Sequence, residues 1–163
     1  MASSELPEAA QRERAAIYRF VDQPLDSQPD GARFLIWVMR QWVVAAVDGR
    51  CACGVLRAAF VGMGVERAAG DFHVAMRTLC NNTLIPLRFG GVDRVDITEH
   101  EAVLIATAVA VAERDDAAMA AIARQLVHAD WAALFARSFA GVARAFTSAG
   151  LPFAAPVNSP GGR

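Results

Sequence analysis

The sequence predicts an all-α protein, folded as a compact bundle of about six helices with a short irregular segment near residues 86–97. Three observations lead to this prediction. Apolar residues make up 55% of the 163-residue chain, and many of them are alanine, the best helix former. Two long apolar runs, 33–47 and 102–112, have the length of helices rather than strands. Thr98 and Glu101 are spaced as a capping box, which marks the start of a helix.

The run 33–47 is the segment around which we expect the others to pack. Its polar residues are Arg33, Arg40 and Gln41. On a helix these residues and Asp48 fall on one narrow strip, and large apolar side chains cover the rest. A helix that is apolar on most sides lies inside a bundle or beneath a partner subunit. We expect the arginines of the strip, Arg40 included, to be solvated.

Helix signals divide the remaining chain into short segments. Asp30, Asp71 and Asp130 are expected N-caps, and Asp115 or Asp116 is expected to cap another helix. Near Gly49 the central helix stops or bends sharply, because glycine often follows a helix end. The segments expected to be helical besides the central one are 7–22, 50–61, 72–84, 98–114, 117–127 and 131–148.

The predicted organisation is one helical domain with flexible ends. We expect residues 1–6 to be a disordered N-terminus and residues 7–150 to form the domain. Residues 151–163, which contain three prolines and two glycines, are expected to form a flexible tail. Residues 23–29 are a linker or tight loop between the first two helices.

Composition and charge argue against several classes of protein. The net charge is −1, which argues against a general nucleic-acid binder, since phosphate contacts need a basic face. The N-terminal residues have no apolar core of a signal peptide, and no apolar run is long enough to span a bilayer. Three cysteines, an odd number without an export signal, suggest reduced thiols in the cytoplasm.

The three thiols are the first candidates for chemistry. Cys51 and Cys53 are two residues apart, and on a regular helix they would point about 200° apart, too far to hold one metal together. At a frayed first turn they could approach each other. If Asp48 is the cap, Cys51 occupies the third helical position, where the helix dipole favours a thiolate. The alternative is that these cysteines and Cys80 pack as small apolar residues.

No other pattern predicts catalysis or a cofactor. The histidines belong to no HExxH, HxH or Glu-x-x-His motif, so we expect no metal. No GxSxG sequence marks a nucleophilic serine. Gly62-Met63-Gly64 lacks the strand and the third glycine of a phosphate-binding loop. We therefore expect no cofactor and no catalytic residue, and whether the protein is an enzyme stays open.

Two segments resemble a family of short all-helical alphaproteobacterial proteins, a domain of unknown function. The resemblance rests on residues 39–64, MRQWVVAAVDGRCACGVLRAAFVGMG, and on residues 96–110, DITEHEAVLIATAVA. The shared features are an arginine early in the helix, the turn at Asp48, Leu56 and Phe60, and the helix start at Thr98. The resemblance implies a helical fold and no particular activity.

Three functions remain open from the sequence. The first is association, as a homo-oligomer, through an aromatic face formed by Trp37, Trp42 and Val43, because aromatic residues are enriched at interfaces. The second is binding of a small molecule in an apolar pocket between the central helix and the helix that starts at Thr98. The residues expected to line that pocket are Met39, Trp42, His73 and Met76. The third is a thiol or metal site that uses Cys51, Cys53 and Cys80.

Overall fold

The computed structural model describes residues 7–155, without the side chains of Ala9 and Glu13. The predicted disordered N-terminus, 1–6, and residues 156–163 of the predicted tail lie outside the described residues. The fold is all-α, as predicted. Its helices are α1 (Glu8–Tyr18), α2 (Asp30–Val47), α3 (Ala52–Gly62), α4 (Ala68–Asn81), α5 (Glu99–Ala112), α6 (Asp116–Leu126) and α7 (Ala129–Ser148).

The two apolar helices α2 and α5 lie inside the bundle. Helix α7 packs against α4, α5 and α6, helix α3 folds back on α2, and α1 covers α5. From Leu104 to Ala108 every residue of α5 is buried, so this helix is enclosed on all sides. Thr107 accommodates this burial by donating its hydroxyl to Val103 O, 2.7 Å away. No helix in residues 7–155 combines the length and apolar character needed to cross a membrane.

Aromatic rings join the helices at one end of the core. The Phe34 ring of α2 lies 5.6 Å from Phe60 of α3 and 5.4 Å from Phe146 of α7, and Phe60 lies 5.3 Å from Phe72 of α4. Phe153 stacks on Phe146 at 5.6 Å and is 2% exposed. The first residues of the predicted flexible tail are therefore part of the core, because Phe153 gains apolar burial there.

Two helix ends follow the predicted capping chemistry. The Thr98 hydroxyl accepts from Glu101 N, and the Glu101 carboxylate accepts from Thr98 N, which confirms the capping box. Asp115 accepts from Ala118 N at the start of α6. Gly150 adopts a φ of +77° just beyond α7, in the left-handed region that ends many helices.

Three other helix starts differ from the prediction. Asp30, Asp71 and Asp130 do not occupy the N-cap position, because each lies within the first turn of its helix. Their negative charge is still favourable at the positive end of the helix dipole. The predicted boundaries are therefore shifted by one to four residues at the starts of these helices.

The irregular segment near 86–97 is present, and it is held by the connection between α1 and α2. Leu25 N donates to Val95 O at 2.8 Å, Asp22 N donates to Ile97 O at 3.0 Å, and Ile97 N donates to Gln23 O at 3.1 Å. Ile97 is fully buried, whereas Val95 is 78% exposed. The segment is thus fixed across the middle of α2, where Arg40 lies.

Gly31 is the closest backbone contact between α2 and the residues that follow α7. Gly31 N donates to Pro152 O at 3.0 Å, and a Cβ at Gly31 would lie 2.5 Å from both Leu151 O and Pro152 O. We expect Gly31→Ala to reduce the free energy of unfolding by about 1–3 kcal/mol, as overpacking does. Urea denaturation measures this loss.

The matched control is Gly70→Ala in α4, where a Cβ would meet no atom within 4 Å. Because glycine is a poor helix residue, this change is expected to be neutral or stabilising by about 0.5–1 kcal/mol. Equal free energies of unfolding for the two variants would show that the segment from Leu151 to Phe153 leaves room for a side chain at Gly31.

Candidate functional site

Arg40 and Glu101 form a buried ion pair between α2 and α5. Arg40 is 2% exposed and Glu101 is fully buried. Arg40 Nε lies 2.8 Å from Glu101 Oε1, and Arg40 Nη2 lies 2.9 Å from Glu101 Oε2. The prediction that Arg40 is solvated was wrong. The irregular segment and the start of α5 cover Arg40, whereas Arg33 and Asp48 on the same strip stay exposed.

The remaining polar atoms of the pair are occupied by backbone groups. Arg40 also donates to Arg94 O at 2.5 Å and to Asp96 O at 2.9 Å. Gly90 N donates to Glu101 Oε1 at 2.9 Å. Within the described residues, no buried side-chain nitrogen or oxygen lacks a partner. Each side-chain nitrogen and oxygen of the pair therefore has a partner inside the protein, and the pair ties the irregular segment to α2 and α5.

The charge on Glu101 is stabilised by its donors. Burial by itself raises the pKa of this carboxyl, but hydrogen bonds from Arg40, Thr98 N and Gly90 N lower the pKa below its usual value of 4.5. Several donors on one carboxylate favour the ionised form. The interaction at the interior of the fold is therefore between two full charges at neutral pH.

The four residues predicted to line an apolar pocket occupy α2 and α4. Trp42 Nε1 donates to His73 Nδ1 at 3.1 Å, so His73 carries its proton on Nε2. Burial and the nearby Arg77 lower the pKa of His73. Met39 is fully buried and Met76 is 2% exposed, so both side chains belong to the core. A ligand pocket among these residues stays a prediction.

Beside His73 the surface forms a shallow, open depression of about 230 Å³. Its lining includes His73, Arg77 and the half-exposed ring of Trp131. The depression lies on the outside of α4 and α7, whereas the predicted pocket lay between helices. The buried Trp42 joins this region to the core.

Helix α3 exposes an apolar surface for most of its circumference. Only Ala52, Leu56 and Phe60, spaced four residues apart, are fully buried. A surface helix usually carries charged residues on its outer side, but Arg57 is the single charged residue of α3. We call the outward side of this helix the α3 face; it consists of Cys53, Gly54, Val55, Arg57, Ala58, Val61 and Gly62, all exposed.

Large apolar side chains extend the α3 face on both sides. Val55 is 41% exposed and Val61 is 50% exposed, and Met63 directly after the helix is 36% exposed. Trp37 of α2, at 43% exposure, stacks 6.3 Å from Phe34. Because Phe34 also touches Phe60 of α3, Trp37 lies at the boundary between the two helices.

The residues predicted to form an interface are therefore divided between surface and core. Trp37 is exposed and Val43 is half-buried, but Trp42 is 7% exposed and offers little surface to a partner. The sequence predicted a helix over 50–61 but did not predict the α3 face. The signal was present, since an eleven-residue helix with one charge has too few polar residues for a solvated side.

The cysteines take three different positions. Cys51 is the N-cap residue of α3, Cys53 lies in its first turn, and both are exposed. Cys80 is half-buried in α4, and burial raises its pKa to about 11. No group of three or more His, Cys, Asp or Glu side chains in residues 7–155 is arranged to hold a metal ion.

Comparison of the chain with protein-family models, curated proteins and solved structures finds no match. The resemblance to the alphaproteobacterial family stays a prediction from residues 39–64 and 96–110.

Proposed function

We propose that this protein acts without catalysis, by associating with a second copy of itself through the α3 face. The observation that supports the proposal is the exposure of a helix surface with a single charged residue. Exposed, contiguous apolar surface is characteristic of interaction sites on soluble proteins. Trp37 and Met63 enlarge the surface at its edges.

A second copy is the partner whose chemistry fits this surface best. Arg57 is the one charged residue of α3, and its Nη2 atom lies 3.4 Å from Glu66 Oε1 of the same chain. Because this charge is already paired, the α3 face offers no unpaired charge to a charged partner or to nucleic acid. An apolar surface is complementary to itself, as a two-fold dimer requires. Gly54, Ala58 and Gly62 recur every four residues, and such small residues leave a groove for the ridges of another helix.

The size of the face predicts a weak dimer. An eleven-residue helix is about 16 Å long, whereas a stable interface buries about 800 Å² on each partner. The α3 face with Trp37 and Met63 supplies only part of that area. We therefore expect an equilibrium between monomer and dimer that shifts with protein concentration. We place this equilibrium in the cytoplasm, because the three cysteines suit a reducing compartment.

Val61→Arg tests the proposal directly. In a two-fold dimer this change introduces two unpaired charges into an apolar interface. We expect the dimer dissociation constant to increase at least about tenfold, which corresponds to about 1.4 kcal/mol. Sedimentation velocity and light scattering across a concentration series measure the constant.

The matched control is Val92→Arg in the irregular segment. Val92 is 47% exposed, nearly the same as Val61, but it lies away from α3. This variant is expected to dimerise like the unmodified protein. A protein that stays monomeric throughout the series, or a dimer weakened equally by both substitutions, would contradict association through the α3 face.

A further inference from the structure

The N-terminus of α3 brings two thiols together. Cys51 has φ −69° and ψ 105°, which is extended backbone, and the helix begins only at Ala52. The predicted separation of about 200° assumed that both cysteines are helical, and Cys51 is not. The two side chains leave the chain at the same helix start, and both residues are exposed.

The chain geometry permits a bond between the two sulfurs. Two residues of extended chain span at most about 7 Å, and the onset of the helix at Ala52 shortens the distance between the flanking Cα atoms. Disulfides join residues whose Cα atoms are about 4.4–6.8 Å apart. The pair therefore needs a small local adjustment at the first turn of α3 and no movement of the core.

The electrostatic setting differs for the two cysteines. Burial raises the pKa of Cys53, the neighbouring Cys51 adds to this effect, and Arg77 opposes it. Cys51 is the exposed N-cap residue of α3. Cys53 is suited to hold its proton until the second step, and the first attack is therefore assigned to Cys51.

We propose that Cys51 and Cys53 form a dithiol site for exchange with low-molecular-weight disulfides. The Cys51 thiolate attacks one sulfur of the small disulfide, so that one Cys51–sulfur bond forms, the original S–S bond breaks and one small thiolate leaves. Cys53 then loses its proton and attacks Cys51, which releases the second small thiol. Two protein thiols are oxidised and one small disulfide is reduced to two thiols.

The sequence offers a direct measurement of this reaction. Arg50 and Arg57 bracket the pair, so trypsin releases Cys51 and Cys53 together in the peptide 51–57. Cys80 lies in a separate peptide, 78–88. The folded, reduced protein is incubated with glutathione disulfide, remaining thiols are alkylated in acid-quenched samples, and the peptides are analysed by mass spectrometry.

We expect the peptide 51–57 to lose two hydrogen atoms and to carry neither glutathione nor alkyl groups. Cys53→Ser is expected to retain glutathione on Cys51, because the second thiol needed to release it is gone. Cys80→Ser is the control and is expected to react like the unmodified protein. The site is disproved if the pair stays reduced, accumulates glutathione, or is oxidised only between chains.

Discussion

Glu101→Ala is expected to lower the free energy of unfolding by about 3–5 kcal/mol. This substitution leaves the Arg40 guanidinium buried without its counter-ion, and an unpaired buried charge is strongly destabilising. It also removes the acceptor of Thr98 N and Gly90 N. Both the start of α5 and the irregular segment are expected to loosen together.

Urea denaturation followed by far-ultraviolet circular dichroism measures this effect. Glu99→Ala is the control, since Glu99 is an exposed carboxylate in the same helical turn, and it is expected to change stability by less than about 0.5 kcal/mol. Similar losses for the two variants would mean that the ion pair contributes no more than a surface charge near a helix start.

The lowered pKa of Glu101 predicts how the free energy of unfolding depends on pH. The pKa of Glu101 is lower in the folded protein than in the unfolded chain, where it is about 4.3. The folded state therefore binds fewer protons, so this contribution is present above the unfolded pKa and is lost as pH falls through the folded pKa. Glu101→Gln is expected to flatten the stability profile between neutral pH and acid. An unchanged slope would contradict the assignment.

Phe146→Ala is the second substitution with a large expected effect, a loss of about 3–5 kcal/mol. Phe146 is fully buried and its ring contacts those of Phe34, Phe60 and Phe153. Removing it leaves a cavity where α2, α3, α7 and the segment after α7 meet. Thermal and urea denaturation are expected to show a single transition at lower stability.

Tyr18→Ala is the matched control for Phe146→Ala. Tyr18 is an aromatic residue that is 59% exposed at the end of α1, and its loss is expected to change stability by no more than about 0.5 kcal/mol. A loss for Phe146→Ala as small as that for Tyr18→Ala would show that the aromatic cluster does not join these elements.

The secondary structure could be predicted where its cause is local. The capping box at Thr98 and Glu101 identified the start of α5, because the side chain and the backbone groups it binds are within three residues. The start of α4 could not be predicted as well, since no side chain caps it and packing of Ala68 in the core extends the helix ahead of Asp71. Phe153 was assigned to the tail because its stacking partner, Phe146, belongs to another helix.

The candidate sites were less predictable than the fold. Trp37 was predicted to be an interface residue and is exposed, but Trp42 on the same helix points to His73 in the protein. Periodicity assigned Cys51 to a helix, although the residue lies one position before it. Such errors arise because a sequence pattern gives the direction in which a side chain leaves its own helix. The pattern does not show which other segment packs against that side of the helix.

Local patterns in the sequence predicted an all-α fold, an interior formed by 33–47 and 102–112, and a helix capped by Thr98. These features depend on the period of apolar residues and on hydrogen bonds between near neighbours. The tertiary contacts were needed to show that Arg40 is paired with Glu101 and that α3 keeps an apolar side exposed. Burial and charge pairing depend on which distant segments come together, and local sequence does not specify those contacts.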